Sequence, residues 1–103
     1  MASSRPSAAL AKYRDEVVAR LEAADAYNVR VFGSVARGED TPESDIDLLI
    51  DPGTNATAFG ISSAKLDLVE LLGFSVDLVS SRAIPQRKSS IVTDAITLNS
   101  INA

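Results

Sequence analysis

The sequence predicts a small α/β domain, one sheet covered by helices, with residues 1–103 forming a single unit. Three observations carry that expectation. Apolar residues switch along the chain between helical spacing and strict alternation. Glycine and proline punctuate the switches at Gly33, Gly38, Pro42, Pro52-Gly53 and Gly73. With 46% hydrophobic and 23% charged residues, the composition supports a core rather than disorder. That core is small, because a domain of this length hides only about two-thirds of its surface.

Residues 1–6 read as a tail. Leu10, Tyr13, Val17, Leu21 and Ala24 recur at helical spacing and predict an amphipathic helix over 7–26, with Ser7 as its N-cap. Val29, Val31 and Phe32 predict a strand over 28–32 that stops at Gly33-Ser34. A short helix over 34–37 follows, ended by Gly38, and Thr41-Pro42-Glu43-Ser44 makes a loop. The segment 45–51 is the clearest strand. Ile46, Leu48 and Ile50 share one face, and Asp45, Asp47, Leu49 and Asp51 share the other. Pro52-Gly53 closes it, and 53–60 is loop-like. Ile61, Ala64, Leu68, Leu71 and Leu72 predict a helix over 61–72, stopped by Gly73. Ser75 to Val79 is a third strand, and a last helix is expected over 86–97, after Pro85.

The chain has no Cys and no His. That removes Ser-His-Asp and Cys-His catalysis, thiol redox chemistry, disulfides and His/Cys zinc sites. Carboxylates, hydroxyls, Arg, Lys and oxygen-ligated ions such as Mg²⁺ remain. The net charge of −4 is concentrated: residues 39–51 hold Glu39, Asp40, Glu43, Asp45, Asp47 and Asp51 with no Lys or Arg, and the remainder is slightly positive. A general basic surface for extended nucleic-acid binding is therefore not expected.

Three features carry the chemistry. Asp45 and Asp47, two apart on a strand, project to one face ~7 Å apart. Two carboxylates there are either a solvated strand face or a place for cations, and two Mg²⁺ ions ~3.5–4 Å apart would fit such a pair. Asp77 sits inside the apolar run Val76-Asp77-Leu78-Val79, so it must be exposed, paired or functional. If its strand neighbours 45–51, it joins the same face as a general base or a further ligand. Gly33-Ser34, where a strand meets a short helix, is either an ordinary turn or a place where backbone and hydroxyl hold phosphate. Arg37, one turn later, either reaches the same phosphates or pairs on the surface with Glu39 or Asp40. Gly-Ser, ten intervening residues, then Asp-x-Asp is a pattern that arises by chance in on the order of one chain in a thousand.

Here the chain resembles the DNA polymerase β-like nucleotidyltransferase superfamily, in its minimal nucleotidyltransferase branch. Phe32-Gly33-Ser34-Val35-Ala36-Arg37-Gly38 is similar to the first motif, and Ser44-Asp45-Ile46-Asp47-Leu48-Leu49-Ile50 to the second. Val76-Asp77-Leu78-Val79 is similar to the strand of the third carboxylate. The segment with Ile84, Pro85, Arg87, Ile91 and Ala95 is similar to the usual C-terminal helix. The resemblance implies the polymerase β-like fold, a small mixed sheet with helices on one side, and a nucleoside triphosphate with Mg²⁺ as donor. It implies that Gly33 and Ser34 hold the triphosphate with Arg37, that Asp45 and Asp47 bind metal, and that Asp77 ligates metal or activates the acceptor hydroxyl. Stand-alone members of the branch pair with a HEPN-domain toxin, and some transfer AMP from ATP to a tyrosine of that toxin. The implied function is thus an AMP-transferring antitoxin working in a complex with its HEPN partner. The alternatives are an antitoxin that only binds, or a transferase acting on a small molecule such as an aminoglycoside or on an RNA end.

Other candidates rank lower. Arg87 and Lys88 could touch triphosphate but read more simply as a solvated helix face, and Tyr13 and Tyr27 read as packing residues rather than modification sites. No apolar run approaches the ~20 residues of a membrane span, and no secretory segment precedes the domain, so a cytoplasmic protein is expected. The sequon Asn55-Ala56-Thr57 would then stay unmodified.

Overall fold

A computed structural model describes residues 5–83 and 96–97. The first helical stretch is two helices, α1 (Pro6–Lys12) and α2 (Arg14–Ala23), rather than one over 7–26. Neither Gly nor Pro marks the break. It lies in the torsions of Tyr13 (φ −107°, ψ 24°), which let Ala9 and Leu10 of α1 and Val17 and Leu21 of α2 bury in the same core. The start also moves. Pro6 occupies the first helical position, where its missing N–H costs nothing, so Arg5 rather than Ser7 is the N-cap residue. The helix therefore begins inside the stretch read as a tail.

Asp25, in the left-handed region at φ 60°, ends the helical run earlier than expected and starts strand β1 (Ala26–Phe32). Its carboxylate accepts hydrogen bonds from the Tyr27 hydroxyl (2.6 Å) and the Asn55 amide (2.7 Å), tying β1 to the loop after the next strand. Tyr27 is consequently a surface residue, 44% exposed, and not the packing residue expected. Tyr13 is half-buried against the core, as expected.

One turn of helix, α3 (Gly33–Ala36), leads to strand β2 (Ile46–Pro52), helix α4 (Ala58–Leu72), strand β3 (Val76–Ser80) and a 3₁₀ turn over Ser81–Ala83. Helix α4 begins three residues before the expected 61 because the Thr57 hydroxyl accepts the Gly60 N–H (3.0 Å) and caps it. Gly73, at φ 80°, ends it as expected. The last helix expected over 86–97 is corrected at its end: Ile96–Thr97 form strand β4, antiparallel to β1. The rest of that segment, with Arg87 and Lys88, lies outside the described residues.

The sheet order is β3-β2-β1-β4, with β1 antiparallel to both neighbours and β2 parallel to β3 through the α4 crossover. It is the mixed sheet the resemblance implied. Val31, Ile46, Leu48, Ile50 and Val76 from the strands meet Leu10, Val17, Leu21, Leu68 and Leu72 from the helices in one core. Among the described residues, no helix is long and apolar enough to cross a membrane.

Candidate active site

Alternation along β2 decides where its acids go. With Ile46, Leu48 and Ile50 buried in the core, Asp47 is turned to the opposite face, where it is half-buried. The parallel register sets Asp77 directly beside Asp47, on a strand about 4.8 Å away. The condition set for Asp77, that its strand neighbours the 45–51 strand, is therefore met. Asp45 is exposed and stands one residue ahead of β2, not within it. The ladder starts only at Ile46, whose N–H donates to the Ser75 carbonyl (2.8 Å).

The glycine turn reaches the same acids from the other side. Phe32, the last residue of β1, is the register partner of Asp47, and Gly33 follows it. Gly33 has φ +73°, and a Cβ there would lie 2.4 Å from Asp47 Oδ2. Only glycine allows both this backbone conformation and this approach. Ser34 is half-buried in α3, directly after the turn. Arg37 makes the surface pairing that was one of its two readings. Its Nε donates to Glu39 Oε1 (2.7 Å), and its charge also acts on the Asp47 carboxyl.

The acidic segment is thereby sorted into separate jobs. Glu39 pairs with Arg37 on the surface. Asp40 is enclosed, bonded to Arg5 and to the Ser7 amide rather than to Arg37. Asp51 shares the sheet face of Asp47 but is held by Asn28 (2.9 Å) and Arg30 at its far end. Hydrogen bonds from Ser81 and Asn28, with the Arg30 charge beside them, keep its carboxyl below the usual range. Glu43 is exposed in the loop, and Asp45 and Asp47, with Asp77 from β3, remain the candidate site acids.

Burial pushes the Asp47 carboxyl above its ordinary value, and the negative charges of Asp77 and Asp45 push it further, against the pull of Arg37. The charges of Asp45 and Asp77 thus both bear on Asp47. They are not gathered into a closed cage: among the described residues no three acids form a ready-made metal cluster. An open edge of carboxylates suits Mg²⁺, which takes few protein oxygens and completes its shell with water and substrate phosphates.

The family model for the nucleotidyltransferase domain matches residues 10–99. The chain belongs to the nucleotidyltransferase-domain family. A candidate protein adenylyltransferase of Methanocaldococcus jannaschii is 41% identical over 81 residues, covering 70% of this chain and 79% of the relative. A second from the same organism is 36% identical over 67 residues, covering 64% and 72%. Among solved structures, a candidate minimal nucleotidyltransferase aligns with a TM-score of 0.75 and 40% identity, covering 82% of this chain and 88% of that one. A chain of a toxin–antitoxin complex with AMP-PNP shares the fold, with a TM-score of 0.70 at 22% identity, covering 82% and 70%. So does a chain from a complex of tri-AMPylated Shewanella oneidensis HEPN toxin with MNT antitoxin, with a TM-score of 0.65 at 18% identity, covering 86% and 71%.

This nucleotidyltransferase holds Asp47 at a thermodynamic cost. In the unfolded chain the carboxyl ionises near its ordinary 3.8, whereas the fold favours its protonated form. Stability contributed by Asp47 is therefore complete below that value and is lost as pH rises through the higher folded pKa. The metal-free Asp47→Asn variant is expected to melt a few degrees above wild type at pH 7 and to lose the advantage toward pH 3. Melting curves of the two proteins across pH check this, and the low-held Asp25, Asp40 and Asp51 cancel in the comparison. Equal melting temperatures at pH 7 would contradict it.

Proposed function

We propose that this nucleotidyltransferase transfers AMP from ATP, with Mg²⁺, to a tyrosine hydroxyl of a HEPN-domain toxin and so serves as its antitoxin in the cytoplasm. The observation that carries the reading is the Asp45, Asp47 and Asp77 edge with the Gly33-Ser34 turn pressed against it. The names of the M. jannaschii relatives support AMP transfer to protein, and the toxin–antitoxin neighbours support the partner.

The chemistry needs little covalent work from the protein. The acceptor oxygen bonds to the α-phosphorus of ATP, the bond to the bridging oxygen breaks, and pyrophosphate leaves. Gly33 gives the triphosphate close access to backbone, and Ser34 offers a hydroxyl to its oxygens. Arg37 adds positive charge from the end of the same turn. Asp45 and Asp47 hold Mg²⁺, which when bound neutralises the phosphate charge and the developing pyrophosphate. Asp77 either takes the proton of the acceptor hydroxyl or completes the ligand set.

The decisive experiment incubates the full chain with ATP labelled on its α-phosphate, Mg²⁺ and a HEPN-domain protein. Label is expected on the HEPN protein, and EDTA is expected to remove it. Neutralisation of the toxin without any label would establish the binding-only antitoxin instead. Label on an added aminoglycoside or RNA, with none on the protein, would move the acceptor.

A further inference from the structure

Asp40 is the only charged side chain buried among the described residues, 5% exposed with its carboxylate fully enclosed. Burying a carboxylate is costly unless donors surround it. Asp40 draws its donors from Arg5 and Ser7, more than thirty residues earlier, with the Ser7 side chain contributing beside its amide. The Ser7 amide donates to Oδ2 (2.9 Å) and Arg5 donates to Oδ1 (2.8 Å). Burial pushes the Asp40 carboxyl up, but these donors outweigh it and hold it below the ordinary value. Arg5 provides no side-chain cap for α1, so a carboxylate 33 residues away does that work.

What Asp40 secures is the loop between the glycine turn and the acid pair. Before it, the Glu39 N–H donates to the Ser34 carbonyl (2.9 Å). After it, the Thr41 N–H donates to Ser44 Oγ (2.8 Å) and the Ser44 N–H to the Thr41 carbonyl (2.9 Å). Asp47 and Asp77 are placed by strand register, but Asp45 precedes β2, so its position follows from this loop.

We propose that Asp40 is a positioning residue for nucleotidyl transfer: held by Arg5 and the Ser7 amide, it fixes the 37–45 loop and so sets Asp45 beside Asp47. The proposal deepens the function above and rests on Asp45 being a metal ligand. Removing a hydrogen-bond partner of a metal ligand typically costs about 10–100-fold in metal affinity, and Asp40, which acts through the loop rather than by bonding to a ligand, is expected at the low end of that range. A side chain that merely stabilises the fold would lower the melting temperature and leave metal affinity alone.

The test compares wild type with Asp40→Asn and Arg5→Ala, all as full chains at a temperature where each is folded. Calorimetry measures AMP-PNP binding with and without Mg²⁺, and hydrogen exchange follows the Glu39 and Ser44 amides against those of β1 and β2. For Asp40→Asn, about tenfold weaker Mg²⁺-dependent binding is expected. Metal-free binding and strand exchange should stay unchanged, while the two loop amides exchange faster. Arg5→Ala, which alters a half-exposed side chain, should shift both readouts the same way by less, and it decides the matter if Asp40→Asn does not fold. Wild-type Mg²⁺ dependence or wild-type loop exchange in the folded variants would overturn the proposal. Wild type that binds AMP-PNP no better with Mg²⁺ would remove the metal reading itself, and the loop exchange would then decide whether Asp40 fixes the segment.

Discussion

Asp47→Asn, and separately Asp45→Asn, should lower the rate of nucleotidyl transfer by three orders of magnitude or more while leaving the far-UV circular dichroism spectrum unchanged. Each substitution keeps the shape of the side chain and removes the charge that a divalent ion needs. Neutralising phosphate charge contributes several kcal/mol to such reactions, and about 4 kcal/mol is already three powers of ten. The fold should survive because neither carboxylate takes part in the core, and because Asp47 is itself disfavoured in its ionised form. Initial rates with radiolabelled ATP and saturating Mg²⁺ measure the effect. Loss of less than tenfold in both variants would place the chemistry elsewhere.

The second large effect is expected from Gly33→Ala, a change of one methyl group. Two costs coincide at this position. The backbone sits at φ +73°, where a residue with a Cβ is strained by about 1–2 kcal/mol. The new methyl would also fall 2.4 Å from Asp47 Oδ2 and 3.3 Å from Cγ, so the Asp47 carboxylate has to swing away. Its displacement from the Asp45 and Asp77 neighbours should cost about a hundredfold in rate, as a misplacement near 1 Å does. The strain alone should lower the melting temperature by at least about 4 °C in a domain of this size. Gly38→Ala is the control. Gly38 has a similar φ of +71°, but a methyl group there would meet nothing within 4 Å, so it should lose stability without the loss of rate. Comparable rates for the two variants would show that backbone strain, and not the approach to Asp47, explains the glycine.

The acids and the glycine turn were legible because their signals are local. Strand alternation placed Asp47 away from Ile46 and Leu48, and a Gly-Ser pair at a strand end marked the turn. The pairing of Asp77 with Asp47 needed only one further condition, that β3 lie next to β2. What the sequence hid depends on partners far along the chain. Asp40 sits in an acidic run where the sequence offered only Arg37 as its partner, and nothing nearby announces that the Ser7 amide will enclose it. The break at Tyr13 follows from two short helices sharing one core rather than from a breaking residue. Strand β4 is two residues long and exists through its pairing with β1, so its periodicity could not separate it from a helix. The early start of α4 had a visible cue, the Thr57 cap, but Gly60 in the first turn obscured it.

The α4 crossover has a consequence for the order of events during folding. The β1–β2 pair is a local antiparallel connection, but Asp77 reaches Asp47 only after α4 has packed and β3 has closed onto the sheet. Pairing through a crossover pays its loop-closure entropy before its contacts form, which makes it a slow step compared with hairpin formation. The third carboxylate therefore arrives after the two strands that carry the glycine turn and the acid pair. A chain that has paired only β1 with β2 has the turn and Asp47 but lacks Asp77 at their side, so closure of the parallel strand is the event that completes the candidate site.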